Sequence, residues 1–341
     1  MLKALRAIAA VSAVIFIISA ISDISEAVLE AIIRCINIII PSLFIMMAAS
    51  RYIIANDMLR PFECLFKLPA KLLGIPPKLL TVFILSNIGG YPIGASMLTQ
   101  MCKKEQLSQK QAYVIASYCF CSGPAFLIGA VGLCVYGSKD IGALMFISCL
   151  TANILFCIIY NRIFGICKIK INDADRNTAA YSLTDAVADS GKALMTMCGI
   201  IVAFSVVNVV VGKVCSIVGT EAPLIAAIFE VTNVTEADPF KLELIPFITA
   251  LTSFGGICVW IQNKALVKNS FPVMKTLLLR IPISVTSGII FKVLYDCISD
   301  QYYSSNADFN GFVVNIDNFV PSICLIIMIF ICINKKRLAF Q

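Results

Sequence analysis

The chain reads as an all-α polytopic membrane protein with two pseudo-symmetric, inverted halves that contain broken helices and re-entrant hairpins. Three observations predict this class. Of 341 residues, 59% are hydrophobic and 14% charged, and the mean hydropathy is +0.91. A soluble domain carries about 25% charged residues, so little of the chain is left for one. Apolar runs near the ~20 residues needed to cross a bilayer recur along its whole length. Two apolar segments, about half the chain apart, are interrupted by paired glycines.

Taken in order, the uninterrupted runs lie at 7–21, 32–54, 112–136, 141–164, 194–218, 276–294 and 319–333, and the short or broken ones at 76–101, 223–231 and 244–267. Lys3 and Arg6 before the first run suggest a signal peptide. The amphipathic stretch from Asp23 to Arg34, leading straight into another apolar run, favours an uncleaved anchor with an amphipathic lead-in, 1–30. A first repeat then spans 31–170, an amphipathic cytoplasmic linker 171–194, and a second repeat 195–341. Within the linker, 185–192 should lie at the membrane surface.

Loop charge sets the topology, because Lys and Arg favour the cytoplasmic side. Arg51, Arg60, Lys67, Lys71 and Lys78 outweigh Asp57 and Glu63, and Lys103, Lys104 and Lys110 outweigh Glu105. The piece between these two loops therefore starts and ends on one side. It must be a hairpin with its tip at 86–95, Ser-Asn-Ile-Gly-Gly-Tyr-Pro-Ile-Gly-Ala. Gly89-Gly90 weakens a helix and Pro92 removes a backbone donor. Glu221, Glu230, Glu236, Asp238 and Glu243 against Lys241 suit the outside. Lys264, Lys268, Lys275 and Arg280 look like inside loop charges, as do Lys335, Lys336 and Arg337.

The second tip, 252–257, repeats the pattern: Leu85-Ser86-Asn87-Ile88-Gly89-Gly90 aligns with Leu251-Thr252-Ser253-Phe254-Gly255-Gly256. Paired interrupted segments in two halves point to a transporter site. An inverted repeat makes the second segment a hairpin from the opposite face, whereas loop charge favours a simple crossing at 244–267, and the sequence leaves both open. Helix starts at Gly90 or Pro92 would offer backbone donors and positive dipole ends to a small anion. Ser86, Asn87, Gly89, Gly90, Tyr91, Gly94, Ser122, Ser253, Gly255, Gly256 and Gln262 are the candidate solute-binding residues, with Asn263 beside them. The alternative is that these polar groups only satisfy the freed backbone. Ser122-Gly123-Pro124 is either a proline kink, the reading slightly favoured, or a third wall of the cavity.

Glu230, with Thr232 and Asn233 just beyond it, closes the run 223–229. An acid at membrane depth is costly and usually functional, and these three residues are candidates for coupling H+ or Na+. At the interface Glu230 would simply be solvated. No enzyme is indicated: a Gly-rich phosphate loop, a nucleophile elbow and any histidine are all missing. No cofactor or metal is expected. The fifteen cysteines sit mostly in apolar runs, as free thiols that pack. The net charge of +7 is dispersed through loops and implies no nucleic-acid partner. The bilayer is the expected surrounding, and a homo-oligomer is left open.

The run Ile40-Pro41-Ser42-Leu43-Phe44, the element Gly89-Gly90-Tyr91-Pro92-Ile93-Gly94-Ala95, the Ser122-Gly123-Pro124 break, Glu230-Val231-Thr232 and Ser253-Phe254-Gly255-Gly256 occur in this order. Together they resemble the YlbJ/SpoVV-type sporulation integral membrane proteins, which carry the nucleoside recognition "Gate" domain. The likeness covers nearly the whole chain, although the family's usual Ser-Gly-Tyr-Pro is Gly-Gly-Tyr-Pro here. It implies transport of dipicolinate, a small aromatic dicarboxylate, across the outer forespore membrane of an endospore-forming bacterium. The alternatives are a nucleoside or other organic-anion carrier, or a non-transporting membrane scaffold in spore assembly.

Overall fold

A computed structural model describes residues 14, 18–56, 58, 63–166, 181–218, 222–236 and 242–304. Most of the anchor at 7–21, residues 167–180 including the first part of the linker, the acids Glu221 and Asp238, the run 319–333 and the C-terminal basic cluster lie outside the described residues. The chain divides into two compact units, 1–295 and 296–341. Of the second, the described part is the end of one helix, 296–304. Every regular element among the described residues is helical.

Helix α1 (Ile21–Arg34) passes through a π-helical turn (Cys35–Ile39) into α2 (Ile40–Ala55), where Pro41 occupies the first turn. Proline is tolerated there because its missing N–H has no helical partner. Helix α3 (Glu63–Leu73) comes next, exposing Lys67, Leu68, Lys71 and Leu72 while burying Ala70. Gly74, at φ +69, lets the chain bend by 86° into α4 (Pro77–Gly89).

Helices α4 and α5 (Tyr91–Lys103) are 13 residues each. At 1.5 Å per residue each is about 20 Å long, short of the ~30 Å hydrocarbon core. Between them Gly90 has φ 89 and ψ −179, a region essentially restricted to glycine. The chain folds back here: a Cβ on Gly94 would lie 3.0 Å from the Ser86 Cβ and 2.5 Å from the Cys119 carbonyl. The reversal falls within the predicted tip, 86–95.

Helix α6 (Gln109–Tyr118) is opened by a reciprocal cap, Gln111 N to Ser108 Oγ at 3.3 Å and Ser108 N to Gln111 Oε1 at 2.7 Å. The chain is then non-helical through 119–123 before a π-helical segment (Ala125–Val135). The break is therefore longer than a proline kink. Helix α7 (Lys139–Ile163) packs backbone to backbone on the π segment, since a Cβ on Gly132 would meet the Gly142 Cα at 2.6 Å.

Helix α8 (Leu183–Val218) runs for 36 residues, so the expected surface lead-in is the first part of a long continuous helix. Short α9 (Ala222–Phe229) and a 3-10 turn (Val231–Glu236) come next. Helix α10 (Ile245–Phe254) ends at Gly255, α11 (Gly256–Val267) begins at once, and α12 (Val273–Ser304) is the last described element.

Four helical stretches among the described residues are long and apolar enough to cross a membrane: Lys139–Ile163, Leu183–Ser216, Leu242–Val267 and Val273–Ile298. Leu242–Val267, interrupted at Gly255, is by length and composition one of these four stretches. The two glycines share a positive φ but differ by half a turn in ψ. Gly255 has ψ −1 where Gly90 has −179, so the chain continues at one break and reverses at the other. Cys35, Cys119, Cys121, Cys149, Cys157, Cys215 and Cys258 are buried free thiols.

Candidate functional site

Three interrupted segments meet at one point. Tyr91, in the first turn of α5, brings its hydroxyl to both Ser122 Oγ and the Thr252 carbonyl. Ser122 Oγ also reaches the Thr252 carbonyl, at 2.9 Å. The hairpin tip, the 119–123 break and the end of α10 are therefore joined through one carbonyl freed by helix interruption. Ser122 stands as a wall of this junction, so the favoured reading of its segment as a mere kink is corrected.

Aromatic rings close one side. Phe120 stacks on Trp260 at 4.3 Å and 11°, and Tyr91 lies tilted 4.8 Å from Phe120. Gly255 is required beneath them, since a Cβ there would come within 2.8 Å of the Phe120 ring and 3.0 Å of Tyr91. Gly90 lies against Gly123 N, at 3.6 Å from its virtual Cβ.

The centre of the junction is Arg280, with 0% of its surface exposed. The sequence places it among loop cations; the structure buries it within α12. Its Nε donates to the Ser253 carbonyl at 3.0 Å and its Nη2 to Ser253 Oγ at 2.7 Å. Its Nη1 donates to the Ser117 carbonyl at 3.0 Å and to Asn153 Oδ1. Asn153 Nδ2 in turn donates to Asn87 Oδ1 at 2.6 Å, and Asn87 Nδ2 to the Phe83 carbonyl at 2.7 Å. The guanidinium also lies 5.7 Å from the Phe120 centroid.

Ser117 and Ser253 lie in the last turns of α6 and α10. A helix C-terminus carries about −0.5 charge, so the two ends together offset one guanidinium. No carboxylate pairs with Arg280 among the described residues. The sequence leads one to expect helix N-termini facing an anion. Instead, C-terminal carbonyls face inward and the protein supplies its own cation.

Other candidates stand elsewhere. Ser86 Oγ donates to the Phe83 carbonyl at 3.0 Å, within its own helix. Gly89 is crowded by Ile93, and Gly94 by Cys119 and Ser86. Gln262 Nε2 donates to Cys258 Sγ at 3.2 Å, and Asn263 Nδ2 to the Val259 carbonyl at 3.0 Å, both within α11.

A second polar cluster surrounds Glu230, which is only 3% exposed and so is not the solvated interfacial acid allowed by the sequence. Its Oε1 accepts from Thr232 N at 3.3 Å, and the Cys258 thiol lies within hydrogen-bonding reach of the carboxyl group. Asn233 is buried with an unpartnered Nδ2, and Thr232 Oγ1 accepts from Arg34 Nη1 at 2.9 Å. Gly256 brings the start of α11 against this segment: a Cβ there would lie 3.1 Å from Val231 N and 3.2 Å from the Ala227 carbonyl.

Arg280, Asn153, Ser117, Thr252, Phe120 and Trp260 belong to the junction without having been singled out. Arg280 and Asn153 did carry a signal, as polar residues inside the apolar runs 276–294 and 141–164.

This architecture defines the class: a multi-pass, all-α membrane protein whose interrupted helices meet at a buried polar junction. No family model, no curated protein and no solved structure matches the chain. Its functional reading rests on its own residues.

Proposed function

We propose that this protein is a transporter that moves a small organic anion across a membrane. The observation that carries this reading is Arg280, a fully buried guanidinium where three interrupted segments meet. Broken backbone at membrane depth persists where protein or a solute cavity satisfies it. An intramembrane cation is expensive and marks solute pathways. Four of the five guanidinium N–H groups are engaged, which leaves one on Nη2. Drawing the end of α10 away from the hairpin tip would part the Tyr91–Thr252 contact and strip Arg280 of one helix end. A carboxylate is the natural replacement for that lost negative charge.

Glu230 gives the cycle a second charge, as a proton or sodium site whose buried carboxyl group accepts from Thr232 N. The resemblance to the YlbJ/SpoVV-type proteins makes dipicolinate the first solute to test and the outer forespore membrane the expected location. The decisive experiment is uptake into proteoliposomes of labelled dipicolinate against nucleosides, with and without proton or sodium gradients. Saturable dipicolinate uptake, lost in Arg280→Gln and uncoupled from the gradient in Glu230→Gln, is expected. A folded protein that takes up neither solute sinks the transport reading and leaves the scaffold.

A further inference from the structure

Helix α3 takes no part in either polar cluster, yet its C-terminal end is firmly capped. Gly74 N donates to the Lys71 carbonyl at 3.3 Å and Ile75 N to the Ala70 carbonyl at 3.0 Å, with Gly74 at φ +69. This is the Schellman pairing, in which a left-handed glycine lets two orphan carbonyls be satisfied. Ala70 and Ile75, its two apolar positions, are both buried in the same core cluster. Asn161 Nδ2, from α7, donates to the Leu73 carbonyl at 3.3 Å. Asn161 is itself fully buried and accepts from Tyr118 Oη at 2.8 Å. The 86° bend between α3 and α4 is therefore a fixed corner.

Before that corner α3 presents three faces. Phe66, Ala70 and Leu73 pack on the core. Lys67 and Lys71, one turn apart, are exposed on one flank. Leu68 and Leu72 form the other flank, and each is 70% exposed. At 3.6 residues per turn the two flanks lie about 100° apart around the axis. Open leucines beside open lysines suit neither bulk water nor the acyl chains alone, but the boundary between them. There the lysine stems can run along apolar surface while their ammonium groups reach phosphate. The hairpin's lysine-rich foot, where Lys103 and Lys110 are exposed against Glu105, predicts entry into the bilayer from that side. A helix at right angles to an arm that enters the bilayer runs along its surface.

We propose that α3 lies in the plane of the membrane and binds anionic phospholipid headgroups through Lys67 and Lys71, with Leu68 and Leu72 among the acyl chains. Charge complementarity selects the lipid: each ammonium group favours an anionic over a zwitterionic headgroup by about fivefold. Because the corner is fixed, this contact sets the depth of the hairpin that carries Gly90 and Tyr91. It stands whether or not the Arg280 junction carries a solute.

The test uses the full chain in nanodiscs, with exposed Cys134 and Cys297 replaced by serine. A charged maleimide is added from water to Lys67→Cys, Leu68→Cys, Lys71→Cys and Leu72→Cys, and rates are taken relative to the protein without the added cysteine. Labelling should be fast at the two lysine positions and at least tenfold slower at the two leucine positions. A fluorophore on Leu72→Cys should be quenched more by spin-labelled phosphatidylglycerol than by spin-labelled phosphatidylcholine. That preference should fall about fivefold in Lys67→Gln and in Lys71→Gln and vanish at high salt. It should stay unchanged in Lys213→Gln, an exposed cation on α8. Fast labelling at all four positions would put α3 in water, leave its leucines for a protein partner and overturn the proposal. Slow labelling at all four would sink the helix into the bilayer and overturn it too. Equal quenching by the two lipids would remove the headgroup site.

Discussion

A guanidinium without exposed surface must find its counter-charge within the protein. Arg280 finds it in the ends of α6 and α10, which is why its bonds go to carbonyls rather than to an acid. Arg280→Met leaves the Ser117 and Ser253 carbonyls and Asn153 Oδ1 without this donor. Each buried acceptor left unsatisfied costs about 1–3 kcal/mol, and thermal unfolding measured by fluorescence should show the loss. The sole tryptophan, Trp260, stacks on Phe120 beside this charge and is the natural reporter. Gly90→Ala should cost about 1–3 kcal/mol by backbone strain alone, because the nearest atom to the added methyl is 3.6 Å away. Gly255→Ala should cost more, adding a ring collision to the strain. Equal losses at the two glycines would refute this distinction.

Among the elements, the α4–α5 hairpin was readable from the chain. Gly-Gly-Tyr-Pro stops a helix locally, and the chain reverses at Gly90; that both ends lie on one side is the prediction of the flanking lysines. Thiol labelling of Lys78→Cys and Lys103→Cys, with exposed Cys134 and Cys297 replaced by serine, should occur from the same face. Labelling from opposite faces would make 76–101 a crossing. Residue identity does not fix ψ: Gly255 and Gly90 look alike in sequence, yet their ψ angles are −1° and −179°. Arg280 misled for a similar reason. A positive residue near the start of an apolar run reads as an interfacial anchor, and only packing shows which helix ends converge on it. The burial of Glu230 was likewise hidden, because it depends on the close approach of α11 that Gly256 permits.

At the scale of the whole molecule, buried polar groups among the described residues gather in a junction around Arg280 and a cluster around Glu230. Surface charge contributes little to holding these together. The exposed Lys213–Asp23 pair, 2.7 Å apart between α8 and α1, should be worth about 0–1 kcal/mol. Asp23→Asn should therefore leave the unfolding midpoint nearly unchanged, and a large drop would mean that α1 depends on this pair. The bond from Arg280 to the Ser117 carbonyl has a consequence for biogenesis. Its two residues are 163 positions apart. At 5–20 residues per second of synthesis, the end of α6 waits roughly 8–30 s for its partner. During that interval the nascent chain holds an exposed carbonyl terminus in or near lipid, where quality-control proteases can recognise it. Chains stalled before position 280 should be degraded quickly, while chains released after α12 should survive.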